Sequence, residues 1–298
     1  MCAAIIGAGL AGLSCAQVLH AQGATVTLFD KGRQPGGRVA TRRAGEYVFN
    51  HGTPWLHEPI DGLDLQRWDG GWTGPGDMAA LASQLAPGPV QSGRHVSFLT
   101  HGAAGWTVLH RDARQTAPGY VGQDGDAAGP FDAVVLAVPA PQAITLLQAM
   151  AHPLAPALQD VTMMPVWTLM AACPWPGVGI PQNDLFSVIV QDSARPGRTL
   201  VPSCWVAHAT TDWSVRHLDA GTAPVQTALL EALVTATRAS GPVTYAAVHR
   251  WRYARTAIPL GQPCLAVVDR LVVCGDWCLG PNTSDAVRSG QAAAAALL

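Results

Sequence analysis

Gly7, Gly9 and Gly12 stand in the G-x-G-x-x-G spacing that lets a polypeptide hold a diphosphate against its own backbone. Gly7 permits a tight turn, Gly9 carries no side chain where phosphate oxygens must approach, and Gly12 lets a helix pack close to a strand. Leu10 and Ala11 would open that helix, with free N–H groups and the positive end of its dipole facing the anion. Asp30, farther along, is placed to accept hydrogen bonds from ribose hydroxyls. A second loop, Lys31-Gly32-Arg33-Gln34-Pro35-Gly36-Gly37-Arg38, sets two glycines before an arginine. The glycines let the chain pass close to a ligand, and the Arg38 guanidinium can donate to pyrophosphate oxygens. Gly275-Asp276 is a third such group, followed by Asn282, Thr283 and Ser284, each competent to cap a helix.

Such residues need a strand, a turn, a helix and a second strand around them, and the sequence supplies all four. Ala3–Ile6 is a short apolar run that reads as a buried strand. A helical pattern follows, with Leu10, Leu13, Ala16, Val18 and Leu19 near one face, and Gly23 closes it. Ala24–Phe29 then reads as the next strand, ending at Asp30. Together they predict a dinucleotide-binding βαβ unit. Asp132–Val138 and Leu271–Cys274 read as further buried strands, the first of them central and parallel. His95–Leu99 reads as another strand, and a last helix is expected from Thr283 to Leu298.

The loop ending in Gly37-Arg38, after the acid Asp30, resembles the acid-then-GGR signature of FAD enzymes in the glutathione-reductase-like superfamily, its amine-oxidase branch above all. That resemblance implies FAD. It places Asp276 on the flavin's ribityl chain and the last helix N-terminus at the pyrimidine end. A helix N-terminus there would favour the negative charge of reduced flavin. Val96 matches the position that contacts adenine through its backbone. The cofactor set read this way is Gly7, Gly9, Leu10, Ala11, Gly12, Asp30, Lys31, Gly37, Arg38, His51, Gly52, Val96, Gly275, Asp276, Thr283 and Ser284. Non-covalent binding is expected, because Cys278 lies close after Asp276 without the local context of a flavin attachment site.

Three segments bring the resemblance to renalase-like flavoproteins. Phe49-Asn50-His51-Gly52 is similar to their F-D-H-G segment, His249-Arg250-Trp251-Arg252-Tyr253-Ala254 to their H-R-W-R-Y-A strand, and Gly275-Asp276-Trp277 with Ser289-Gly290 to their closing motif. The implied fold class is α/β: a Rossmann-type FAD-binding domain of discontinuous segments plus a smaller α+β substrate domain. The implied reaction is hydride transfer to flavin N5 from a small amine or a dihydronicotinamide-type substrate, with oxygen as acceptor. The chain departs from the pattern at Asn50, at Thr53-Pro54-Trp55, at Thr283-Ser284-Asp285 and at Arg288. Two other readings therefore stay open: a flavin-dependent dehydrogenase or isomerase, and a non-catalytic flavin-binding protein.

Candidate catalytic residues are His51, Trp251, Arg252 and Tyr253. Side chains alternate along a strand, so Trp251 and Tyr253 share one face while Arg250 and Arg252 share the other. The aromatic pair reads either as a wall for the substrate or as ordinary core. Arg252 reads either as a site for an anionic substrate group or as a surface arginine, and His51 either as a residue beside the flavin or as a structural histidine. Many amine oxidases of this superfamily use a lysine that holds water near N5. The sole lysine here, Lys31, belongs to the nucleotide loop.

The 298 residues are 49% hydrophobic and 13% charged, with a formal charge of −2. That balance predicts packed cores and no nucleic-acid partner. The seven cysteines are scattered and show no zinc-ligand spacing, so no metal is expected. The apolar opening lacks the charged start of a signal peptide, and a cytoplasmic protein with no membrane span is expected. The FAD domain is expected from residues 1–50, 76–146 and 262–298, and the substrate domain from 51–75 and 147–261. Within the latter, Trp167–Ala172, Phe186–Val190 and Ser203–His208 read as strands and Pro224–Arg238 as an amphipathic helix. Pro118–Pro130 and Pro174–Pro181 read as surface loops.

Overall fold

A computed structural model of the protein describes residues 1–117, 119–174, 183–238 and 241–298, apart from the side chains of Ala266 and Val267. The chain divides into two compact units, residues 1–37, 82–163 and 256–298 forming one and residues 38–81 and 164–255 the other. These bounds differ from those expected, and packing explains why. Phe49 is buried with Met170, Val190 and Val206, so its hairpin, Arg42–Ala44 with Tyr47–Phe49, joins the second unit. Leu154, Leu158 and Val161 are buried with Leu136 and Leu147, so that stretch joins the first.

The first unit is built on a six-stranded sheet. β1 (Cys2–Ile6) lies inside it, paired in parallel with β2 (Thr25–Asp30) on one side and with Ala133–Leu136 on the other. The spatial order is Leu265–Val268, Leu271–Val273, Ala133–Leu136, β1, β2, Val90–Ser92, and only the first of these runs antiparallel. Ala3, Ala4, Ile5, Val134 and Val135 are wholly buried, which is why these strands read as unbroken apolar runs. A three-stranded antiparallel sheet, Arg94–Gly102, Gly105–Asp112 and Asp126–Phe131, completes the unit. Its last strand corrects the reading of 118–130 as a loop over residues 126–130, while residues 119–125 carry no helix or strand. Gly129 and Pro130 fall at a register shift between Ala128 and Phe131, where a proline removes no ladder bond. Pro118 and residues 175–181 of the other expected loop lie outside the described residues.

In the second unit a four-stranded sheet runs in the order Phe186–Gln191, Ser203–Ala209, Thr162–Cys173, Tyr245–Ile258. The helix Thr222–Thr237 buries Val225, Leu229 and Leu233 at i,i+4 spacing against Trp167, Leu169, Trp205 and Ala207. Burying one such leucine is worth about 2 kcal/mol. Arg238 ends the helix in the left-handed conformation, φ 50°. Among the described residues no helix is long and apolar enough to cross a membrane.

Candidate functional site

α1 (Leu10–Ala21) begins directly after Gly9, which caps it in an extended conformation with no side chain bonded to the first turn. The three glycines divide their work. A methyl group at Gly7 would sit 2.5 Å from the Ala137 carbonyl oxygen, and one at Gly12 would sit 1.9 Å from the Gly7 oxygen. At Gly9 it would meet no heavy atom within 4 Å. Gly7 and Gly12 therefore serve backbone packing, while Gly9 leaves open space at a helix N-terminus, which suits a phosphate group. The second loop comes to the same place: the Gly36 amide donates to the Ala8 oxygen at 2.7 Å, and Gly9 and Gly36 form a parallel bridge. Gly37 has φ +56° and its absent side chain would touch the Gly9 Cα at 3.3 Å. The two loops thus meet through backbone alone, with no side chain at Gly9, Gly36 or Gly37 to fill the space before the helix.

Asp30 has a task that spacing did not disclose. Its Oδ2 accepts the Ala8 amide at 2.7 Å and its Oδ1 the Gly32 amide at 2.6 Å, tying the first loop to the second. Burial pushes its carboxyl above the usual range, while those two donors and Lys31 pull it back. A carboxylate has lone pairs to spare for a ribose as well. Lys31 itself is exposed at the bend after β2. Val96 is buried on the outer strand of the three-stranded sheet, with the irregularity in pairing starting just after it.

At the chain's other end, Gly275 donates its amide to Ser289 Oγ at 2.9 Å, and Asp276, 4% exposed, receives Thr256 Oγ1 at 3.3 Å. The last helix, Thr283–Leu297, is capped by Asn282 rather than by Thr283 or Ser284, both of which lie half-buried in its first turn. Asp285 completes a capping box with Asn282 and pairs with Arg288 at 2.7 Å. Its carboxylate already meets the positive helix end that the sequence assigned to the flavin. Cys278 is fully buried and its thiol is pushed up to about 12 by burial, so it stays protonated and a poor nucleophile.

In the second unit Arg38 donates to the Ala254 carbonyl at 3.1 Å. Gly52 is a glycine because a side chain would strike the Arg38 carbonyl oxygen at 1.9 Å, a backbone contact that the sequence reading assigned to the cofactor instead. His51, 8% exposed, stacks on Trp251 with ring centroids 5.3 Å apart and meets His249 edge-on at 5.1 Å. The Trp251 indole donates to the His51 carbonyl at 3.1 Å. Burial, then His249 and Arg42, push the His51 imidazole down to about 3, and burial pushes His208 down to about 4. His51 Nδ1 and His208 Nε2 are buried without a hydrogen-bond partner among the described residues. Tyr253 follows on the same strand face as His249 and Trp251. Arg252 does not join this group: it points the other way and pairs with Asp219 at 3.1 Å on the exposed surface. Sequence reasoning placed His249 in the same strand as Trp251 and His208 at the end of another, but counted neither among the site residues. It also overlooked Asp192, Arg195 and Arg198, charges that follow an apolar strand directly.

Residues 5–68 match the family described as NAD(P)-binding Rossmann-like domain, and residues 63–298 match the one described as flavin containing amine oxidoreductase. Similar solved structures include a protein of Exiguobacterium sp. 255-15 assigned as a protoporphyrinogen oxidase, 12% identical, and cyclohexylamine oxidase from Brevibacterium oxydans IH-35A, 15% identical. Each aligns over 99% of this chain and 98% of its own, with a TM-score of 0.71. At that identity the likeness establishes the fold.

Proposed function

The chain belongs to the flavin containing amine oxidoreductase family and is an FAD-dependent oxidoreductase, and from that premise we propose a renalase-like oxidase that holds FAD without a covalent bond. The observation that carries this reading is the open space at Gly9, at the start of α1 and beside Gly36 and Gly37. In this reading Gly9, Leu10, Ala11 and Gly37 hold the pyrophosphate by backbone, Arg38 adds charge, and Asp30 and Asp276 take the ribose and ribityl hydroxyls. Bound flavin supplies a hydride acceptor at N5 and a route for the electron pair to oxygen. The substrate is a small amine or a dihydronicotinamide-type molecule, and the protein works in the cytoplasm.

Trp251, Tyr253 and His51 orient the substrate. Hydride transfer depends on positioning more than on an acid or base. A histidine pushed down to about 3 suits that role, for near neutral pH it offers a flat, uncharged ring rather than an imidazolium acid. The protein should purify yellow, and heat or acid should release the flavin intact. Flavin that stays with the precipitate would overturn the non-covalent assignment. In an anaerobic titration with a panel of amines and reduced nicotinamides, one class should bleach the flavin and air should restore the colour. Bleaching without recovery in air would mark a dehydrogenase, and no bleaching by any member a binding protein.

The neutral state of His51 can be measured separately. Its folded value of about 3 lies below the ordinary 6.5, so the unfolded chain binds a proton that the folded protein refuses. This group's contribution to stability is complete above pH 6.5 and is lost as pH falls toward 3. The slope in that window is about 1.4 kcal/mol per pH unit. His51→Gln should flatten the dependence of Tm on pH between those limits. An unchanged slope would show that the folded ring takes up its proton over the same pH range as the unfolded chain.

A further inference from the structure

The second unit contains a buried ionic hub whose charges, Asp192, Arg195 and Arg198, lie outside every sequence motif discussed so far. The Asp192 carboxylate, wholly buried, accepts Arg195 Nε at 2.5 Å and Arg198 Nη1 at 2.6 Å. It also accepts the Asn50 amide at 2.8 Å and, more weakly, Asn50 Nδ2 at 3.4 Å. Arg195, 2% exposed, reaches on to Thr73 Oγ1 at 2.9 Å and to the Pro54 carbonyl, with its guanidinium 4.1 Å from the Trp68 ring centroid. One carboxylate therefore grips both ends of the segment Asn50–Pro54. Between those ends lie His51, stacked on Trp251, and Gly52.

We propose that Asp192 is a positioning residue which, through Asn50 and Arg195, sets the His51–Pro54 segment and with it the angle of the His51 ring against Trp251. The cost of such a hub is what makes it informative. Burying three charges stabilises a fold little compared with apolar packing, whereas breaking one pair leaves a charge stranded. What the hub does supply is direction: each bond has a fixed geometry, and a forked guanidinium reads two acceptors at once. This inference rests on the reading above only in treating the segment as belonging to the reaction side.

The test compares holoproteins carrying Asp192→Asn and Arg195→Lys. The lysine variant keeps a cation beside Asp192 but lacks the fork that spans Pro54 and Thr73. The readouts are Tm, the visible flavin spectrum, and the ring nitrogen NMR signals of His51, identified as those lost in His51→Gln. Both variants should show displaced His51 signals and a shifted flavin band, with a lower Tm. Folded variants with a lower Tm and unmoved His51 signals would reduce the hub to a structural role and overturn the proposal. If Asp192→Asn does not fold, Arg195→Lys decides alone. Displaced His51 signals beside an unmoved flavin band would sustain the hub while removing His51 from the reaction side, so the two readings fail separately.

Discussion

Gly9→Val is expected to give a folded, colourless protein. The residue at this position is extended, with φ −75° and ψ 177°, a conformation valine adopts readily. Nothing within 4 Å obstructs the first carbon of a side chain. The added isopropyl group would instead occupy the space before the first amides of α1, where the pyrophosphate is proposed to lie. A branched carbon side chain there both blocks the anion and keeps water from those N–H groups. The loss of FAD affinity should be at least a hundredfold, about 2.7 kcal/mol. Valine is a poor helix cap, so stability should fall by about 1 kcal/mol relative to the flavin-free wild type. That comparison matters, because losing a bound ligand lowers Tm by itself. Flavin per chain from absorbance, with a melting curve beside that of the stripped wild type, checks both parts. A full complement of flavin in Gly9→Val would remove this loop from the site.

Gly290→Ala should do the opposite, damaging the fold first. Gly290 lies in the last helix where it crosses α1, and a methyl group there would sit 2.0 Å from the Ala11 carbonyl oxygen and 2.8 Å from its carbon. Both are backbone atoms that no rotamer change can move. The two helices must separate, opening a core that includes Ala293, Ala294 and Leu297. Overpacking of this kind costs about 1–3 kcal/mol, and more where the obstacle is backbone. Helix propensity alone points the other way, since alanine for glycine inside a helix gains about 1 kcal/mol. The sign therefore decides the matter. Urea unfolding should show a clear loss, with flavin retention falling as α1 shifts. A variant more stable than wild type would mean that the helices do not meet at this residue.

The sequence by itself determined the nucleotide half of this protein. Gly7, Gly9, Gly12, Asp30 and the Gly36-Gly37 pair lie within a short stretch of chain, and the βαβ unit they need is local in sequence. Continuous apolar runs in β1 and 133–136 declared strands buried on both faces. The family was legible for the same reason, because local backbone geometry demands particular residue types at particular spacings. Tertiary structure alone decided the other half. Nothing in the spacing says that Gly52 faces the Arg38 carbonyl or that Arg252 spends its charge on Asp219. The same holds for Asp285, whose carboxylate reaches back to the Asn282 amide and pairs with Arg288. The state of His51 depends on burial that no single residue encodes, on His249, far from it along the chain, and on Arg42. The Asp192 hub joins residues 50, 54, 73, 192, 195 and 198, which chain folding brings together from three separate segments. Charge, burial and orientation at a point are sums over everything packed around it. Those sums exist only once the chain has folded.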